Sequence, residues 1–157
     1  MDASEVIAAL EAPGDDRRPL MWQLEADAPH ASLVGALGAE VPLTRHLVAD
    51  ILGRRAEIES AGPLLAAIRD PDSGVRAAAA DALGKVMLTH GPGAAPGAGP
   101  ALLAAYDAED SAGARHMLAA ALGAARCREA IPLLRAAARS EDRGLVGSAQ
   151  WALEQLD

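Results

Sequence analysis

Between residues 63 and 84 the hydrophobic and polar positions predict two short helices joined by a tight turn. Leu64, Leu65 and Ile68 recur at the three- and four-residue spacing of an amphipathic helix. Residues 70–74, Asp-Pro-Asp-Ser-Gly, then end that helix and offer Asp or Ser to cap a second one. The expected buried stripe of the second helix comprises Val75, Ala79, Ala82 and Leu83.

The same pattern recurs along the chain. Leu52-Gly53 returns 31 residues later as Leu83-Gly84, and then at Leu122-Gly123 after a longer step of 39. A last copy ends near Leu153, a further 31 residues on. One helix pair cannot bury its apolar stripes alone, whereas a stack of pairs can. We therefore predict one domain, residues 1–157, of about five units, approximately 4–28, 29–56, 60–89, 100–126 and 129–157, with a linker at 13–16.

The longer step falls on residues 90–100, where Gly and Pro alternate. Pro lacks a backbone donor and Gly is conformationally free, so this stretch favours neither helix nor strand. We predict a Gly/Pro-rich surface loop there.

These residues resemble the HEAT repeat, in the short form typical of phycobilisome-lyase HEAT-like proteins. The motif runs Pro-Leu-Leu, a helix, Asp-x-Asp-x-x-Val-Arg, and Ala-x-x-Ala-Leu-Gly, and residues 63–84 match it throughout. The last unit departs from it, with Val146 where the repeat Arg is expected. The resemblance implies an all-α fold, a right-handed α-solenoid (α-α superhelix) whose second helices line a concave groove.

Composition agrees with a helical stack and limits the partners. Half of the residues are hydrophobic (51%) but only 2% are aromatic, so the core consists of small aliphatic side chains that suit close helix packing. The net charge of −8 disfavours nucleic acid and favours a basic or apolar protein or peptide. A single cysteine, a non-basic start and the lack of a long apolar run indicate a cytoplasmic protein without a membrane partner.

Arg45, Arg76 and Arg115 recur at one repeat position. They form either a basic ladder for an anionic ligand or a structural series. The resemblance implies the structural role, in which each guanidinium reaches acidic or carbonyl groups in the neighbouring turn, and we favour it.

A second series of equivalent positions is expected to face the groove. It reads Trp22, Asp50, Asp81, Ala120 and Trp151, with His46 and His116 on an adjacent line. We predict that these Trp, Asp and His residues bind the partner. The alternatives are that the Trp residues cover the ends of the core and that the Asp residues are merely solvated. The two His residues are two repeats apart, too far to share a metal ion, so no metal site is expected.

The sequence holds few candidates for catalysis. Cys127 lies between Arg126 and Arg128, which favour a thiolate, yet no His stands near it in sequence to complete a catalytic pair, and a structural role is expected. No phosphate-binding loop or nucleophile elbow is present. We therefore expect no catalytic residues, no cofactor and no enzyme activity.

The main functional hypothesis is a non-enzymatic protein-binding module, an adaptor, scaffold or regulator, that grips a basic or apolar peptide or protein in its groove. An immunity or inhibitor protein for a basic toxin is one alternative. A bilin lyase-like enzyme or lyase subunit, which the resemblance implies, is another. The arginines of the last unit are either a solvated face or a contact for an acidic partner; they are Arg126, Arg128, Arg135, Arg139 and Arg143.

Overall fold

The computed structural model describes residues 1–14 and 16–157, so Asp15 of the expected linker and first unit lies outside the described residues. The chain folds into ten α-helices over this range. They are α1 (Ala3–Glu11), α2 (Arg18–Asp27), α3 (His30–Ala36), α4 (Pro42–Arg55), α5 (Ala61–Ala67), α6 (Ser73–His90), α7 (Ala98–Ala108), α8 (Ala112–Ala124), α9 (Ile131–Ala137) and α10 (Arg143–Glu154). Single 3-10 turns precede α5, α7 and α9, at Ile58–Ser60, Pro92–Ala94 and Arg128–Ala130. The predicted all-α solenoid is confirmed.

The helices form two layers. The second helices α2, α4, α6, α8 and α10 pack one on the next, and α3, α5, α7 and α9 each pack on the second helix that follows them in sequence. Leucines from both layers are fully buried between them, among them Leu64 and Leu83 of the clearest repeat. The apolar stripes predicted from the sequence therefore face a shared core.

Turn residues define where the second helices begin. The Asp72 side chain accepts a hydrogen bond from the backbone N–H of Val75 at 3.0 Å, and so caps α6. Asp142 caps α10 in the same way, accepting from the N–H groups of Gly144 and Leu145 at 3.0 and 3.2 Å. Such caps satisfy backbone donors that have no partner inside the helix.

The repeated Gly of the Leu-Gly landmark allows neighbouring second helices to approach closely. A β-carbon at Gly53 would lie 2.8 Å from the α-carbon of Ala82, and one at Gly123 would lie 2.6 Å from that of Ala152. Both distances are shorter than van der Waals contact, so a side chain at either position would push the two helices apart. Close packing between units thus explains the Gly at positions 53 and 123, whereas at Gly84 the same distance, to the α-carbon of Ala121, is 3.8 Å, an ordinary contact.

The segment 90–100 is more ordered than the predicted loop. Helix α6 continues through His90, a 3-10 turn follows, and α7 begins at Ala98, so the prediction of an irregular loop is wrong at both ends. Gly91 and Gly97 adopt positive φ angles of 89° and 79°, which make the two bends. Pro92 and Pro100 fall in first helical turns, where a missing N–H costs little, and Ala95 is buried against the core.

Candidate functional site

Arg45 links the turn of its own unit to the turn of the next unit by hydrogen bonds. Its Nε and Nη2 donate to the two carboxylate oxygens of Asp70 at 2.8 and 2.9 Å, while Nη1 donates to the carbonyl oxygens of Ala39 and Glu40 at 2.8 and 2.9 Å. Ala39 and Glu40 belong to the turn of its own unit, and Asp70 to the turn of the following one. Burial acts to raise the pKa of Asp70, but the hydrogen bonds from Arg45 and from the backbone of Asp72 lower it overall.

Arg76 repeats this arrangement one unit further along. It donates from Nε and Nη2 to Glu109 at 2.6 and 2.8 Å, and from Nη1 to the carbonyl oxygens of Asp70 and Pro71 at 3.0 Å each. The Glu109 side chain is only 1% exposed. Hydrogen bonds from Arg76 lower the pKa of Glu109 despite its burial. Neither Arg45 nor Arg76 has a free pair of donors for an external anion.

Arg115 is the incomplete member of this series. It donates from Nη2 to the carbonyl oxygen of Glu109, and its guanidinium carbon lies 5.6 Å from the centre of the Tyr106 ring. The position that holds Asp70 and Glu109 in the preceding units is Ser140 in the last unit. Among the described residues the buried Nε of Arg115 has no hydrogen-bond partner, because Ser140 supplies no carboxylate.

A concave, mainly apolar cavity of about 260 Å³ opens on the layer of second helices, between α6, α8 and α10. It is lined by Ala80, Asp81, Gly84, Lys85, Leu88, Met117, Ala120, Ala121, Ala124 and Trp151. The small residues leave the space, and Trp151 supplies an aromatic wall. Asp81, Ala120 and Trp151, which the repeat register places at equivalent positions, meet in this cavity.

The two carboxylates of the expected acidic middle are already paired. Asp81 lies 2.6 Å from the Nζ of Lys85, and Asp50 lies 3.0 Å from Nη1 of Arg54. Arg54 also contacts Glu25 at 2.6 Å. Each carboxylate thus has a cation one helical turn away, which reduces the acidity of the surface at these points.

The two tryptophans have different surroundings. Trp22 is 67% exposed on α2 and does not line the cavity. Trp151 is half-buried, packs against the core and forms part of the cavity wall. The two tryptophans therefore do not share this cavity, and a role for Trp22 in binding stays a prediction.

His46 and His116 occupy equivalent places but lie away from the cavity. Nδ1 of His46 is 3.0 Å from the carbonyl oxygen of Gly74, and Nε2 of His116 is 2.7 Å from Asp142. A β-carbon on Gly144 would lie 2.5 Å from the His116 ring. Each imidazole thus packs against the turn of the next unit. The hydrogen bond from His116 is the main cause that lowers the pKa of Asp142.

Cys127 is buried in the turn after α8. Its Sγ lies 3.6 Å from Glu129, and burial raises the pKa of the thiol, so it is held in the protonated form that is a poor nucleophile. Among the described residues no group of three His, Cys, Asp or Glu side chains is placed to hold a metal ion. The described helices also include none with the length and apolar character needed to cross a bilayer.

Sequence reasoning assigned only Asp81, Ala120 and Trp151 to this surface and missed the rest of the cavity lining, whose larger side chains are Lys85, Leu88 and Met117. Lys85 and Leu88 lie four and seven residues after Asp81, so helical spacing places them on the same face as that residue. Met117 comes from the neighbouring helix, and its position follows only from the way α6 and α8 pack.

The two-layer stack and its inter-unit arginines define an α-solenoid. Residues 31–112, just over half of the 157, match the family model described as HEAT repeats. The chain belongs to the HEAT-repeat family.

Comparison with solved structures gives a neighbour for the whole fold. The chain resembles a protein in the complex of CpcE and CpcF of phycocyanin lyase from Nostoc sp. PCC7120, with a TM-score of 0.74 and 24% identity. The match covers 99% of this chain and 65% of that chain, so this chain spans less than two thirds of the matched lyase protein. No curated protein sequence matches this chain.

The lyase comparison corrects one expectation. We expected no enzyme activity because the sequence holds no catalytic motif, and that prediction is wrong as stated. The same fold, over almost all of this chain, occurs in a phycocyanin lyase. The missing motifs therefore do not exclude an enzymatic role for a chain with this fold.

Proposed function

We propose that this chain is a protein-binding HEAT-repeat subunit of a lyase-type assembly, which holds an apolar group of its partner in the cavity between α6, α8 and α10. The cavity is the observation that carries the proposal. It is concave, largely apolar and open, and an aromatic side chain, Trp151, forms part of its wall. Buried apolar anchors in such pockets contribute most of the affinity at many protein interfaces.

The size of the cavity favours an anchor group over an enclosed cofactor. At about 260 Å³ it lies just below the range of roughly 300–1,000 Å³ usual for small-molecule sites. A large aliphatic or aromatic side chain fits that space, whereas a tetrapyrrole would extend beyond it. The ion pair of Asp81 and Lys85 at the rim supports an apolar rather than a basic group inside it.

The lyase part of the proposal rests on the fold comparison. The neighbour is one protein of a two-protein lyase complex, and 99% of this chain matches 65% of it. We accordingly expect a second protein in the assembly. A bilin, if it is bound, is expected to place only one apolar end in the cavity.

Filling the cavity tests the proposal. Ala120 lies within it, and Ala120→Trp places a large ring where the partner's anchor is expected. Tagged wild type and variant are used to capture partners from the cells that make the protein, and the captured proteins are compared by quantitative mass spectrometry. We expect Ala120→Trp to lose a partner that the wild type retains.

Trp22→Ala is the matched control, because it removes an aromatic ring that is 67% exposed and outside the cavity. It is expected to retain the partner, while Trp151→Ala is expected to lose it. Thermal unfolding followed by circular dichroism shows whether each variant is folded. Equal capture by all the folded variants would reject the cavity as the binding site.

Trp22→Phe provides a separate test for a bilin, since it leaves Trp151 as the single tryptophan. If an added bilin binds in this cavity, it should quench the fluorescence of Trp151. The additional substitution Ala120→Phe, which fills the cavity, should then abolish the quenching. Unchanged fluorescence and bilin absorbance would remove the bilin from the proposal and leave the protein partner.

A further inference from the structure

The charges of the chain are strongly segregated. Residues 1–125 carry nine Lys and Arg against 17 Asp and Glu, so the whole net charge of −8 resides there. Residues 126–157 carry five Arg and five acidic residues. Within this last unit the arginines are concentrated on α9 and the turns at its two ends.

Three of these arginines form a row. Arg128 lies in the 3-10 turn before α9, Arg135 lies on the helix, and Arg139 follows directly after it. These positions stand seven and four residues apart, a spacing that brings residues to one side of a helix, and the 3-10 turn runs directly into α9. All three side chains are exposed.

The three guanidinium groups are not paired within the described part of the chain, although the exposed Glu129 and Glu141 lie close to them in sequence. Among the described residues none of the three guanidinium groups takes part in a salt bridge, whereas Arg45, Arg54 and Arg76 are all paired. Pro132 and Ala136, which lie between the arginines on the same face, are small and exposed. A partner surface can therefore reach the row without displacing side chains.

We infer that this face of α9 is a second interaction surface, which binds an acidic helical segment of a protein with carboxylates spaced over about three turns. Arginine suits this task because its planar fork pairs with both oxygens of a carboxylate. The surface lies in the first-helix layer, opposite the cavity between second helices, so the inference stands independently of the proposed function. A chain with both surfaces bridges two proteins.

The surrounding charges favour a short acidic segment over a long polyanion. The preceding first helix, α7, carries Asp107 near its end and Asp110 follows it, both exposed, Asp110 to 97%. A nucleic acid extending beyond the row would meet these carboxylates and the net negative charge of the remaining chain. An acidic helix of matching length avoids both.

The test is a fluorescence anisotropy titration with a labelled Ala-rich helical peptide whose four Glu residues stand at positions 1, 4, 8 and 11. The same peptide with Gln in place of Glu and a 20-mer duplex DNA are the comparison probes. We expect the wild type to bind the Glu peptide at low salt, at least about tenfold more tightly than the Gln peptide or the DNA.

The triple variant Arg128→Glu, Arg135→Glu, Arg139→Glu is expected to lose at least about tenfold in affinity. The milder Arg→Gln triple is expected to lose less. A control triple at Arg17, Arg18 and Arg69, also changed to Glu, alters the net charge equally elsewhere on the chain, at two exposed sites and the half-buried Arg17.

Three results would overturn the inference: no binding of the Glu peptide by the wild type, an equal loss in the control triple, or preference for the DNA.

Discussion

The buried pair of Arg76 and Glu109 gives the sharpest prediction for stability. Glu109→Gln keeps the shape of the side chain and removes its charge. In the wild type the carboxylate accepts two hydrogen bonds from Arg76 and one from the backbone N–H of Ser111 at 2.9 Å. The variant leaves the guanidinium of Arg76, 19% exposed, without a buried counter-ion.

Breaking a buried ion pair by removing one partner costs about 3–5 kcal/mol. Arg76 keeps its bonds to the carbonyl oxygens of Asp70 and Pro71, so we expect about 2–3 kcal/mol here. Urea unfolding at pH 7, followed by circular dichroism, measures the change in the free energy of unfolding. Asp110→Asn is the matched control, because Asp110 is 97% exposed and 3.9 Å from Arg76, and it should change stability by less than about 0.5 kcal/mol.

The same pair predicts a pH dependence. The pKa of Glu109 is lowered in the folded protein, so its stabilisation is complete above the unfolded pKa of about 4.3 and is lost as the pH falls through the folded pKa. The difference between wild type and Glu109→Gln should therefore be constant near neutral pH and shrink in acid. A difference below 0.5 kcal/mol at pH 7, or one that does not change down to the acid transition, would refute this reasoning.

Three further predictions concern glycine packing, the incomplete arginine series and the buried cysteine. Gly123→Ala should lower the free energy of unfolding by about 1–3 kcal/mol, because its β-carbon would lie 2.6 Å from a facing α-carbon. Gly147→Ala, which meets no atom within 4 Å in α10, should raise it by about 0.5–1 kcal/mol; equal effects would contradict the packing argument. Ser140→Asp should stabilise the fold by about 1 kcal/mol by giving Arg115 a carboxylate, and Ser140→Asn, which lacks the charge, should not. Cys127 should react with a thiol reagent at pH 7 much more slowly than free cysteine, because burial both shields it and raises its pKa; reaction at the free-cysteine rate would show an open site.

The fold was predictable because its landmarks are local. Asp72 caps α6 through the N–H group three residues on, and the Leu-Gly pairs, which lie inside α4, α6 and α8, recur at the same place in successive units. The expectation for residues 90–100 failed at its ends because Pro and Gly were treated only as breakers. In the structure Gly91 and Gly97 make two defined bends between helical segments.

The candidate site was predictable only in part. Repeat register placed Asp81 and Trp151 on one face, and the structure brings them into one cavity. Repeat register does not predict the depth of the cavity, which depends on the small residues of α8. It also does not predict the exposure of Trp22, which depends on how α2 packs. The packing of His116 against the next unit depends on Gly144 in that unit. This contact joins two repeats, so the pattern of a single repeat does not predict it.

Site-specific photo-crosslinking tests the central claim, that the partner binds at the cavity on the second-helix layer. A benzophenone amino acid replaces Leu88, which is 55% exposed at the cavity rim, or Ile58, which is 46% exposed and does not line the cavity. After irradiation in the cells that make the protein, we expect one crosslinked partner from position 88 and none from position 58. Loss of that product in the Ala120→Trp background would complete the result. The same partner crosslinked equally from position 58, or no product from position 88, would contradict the account.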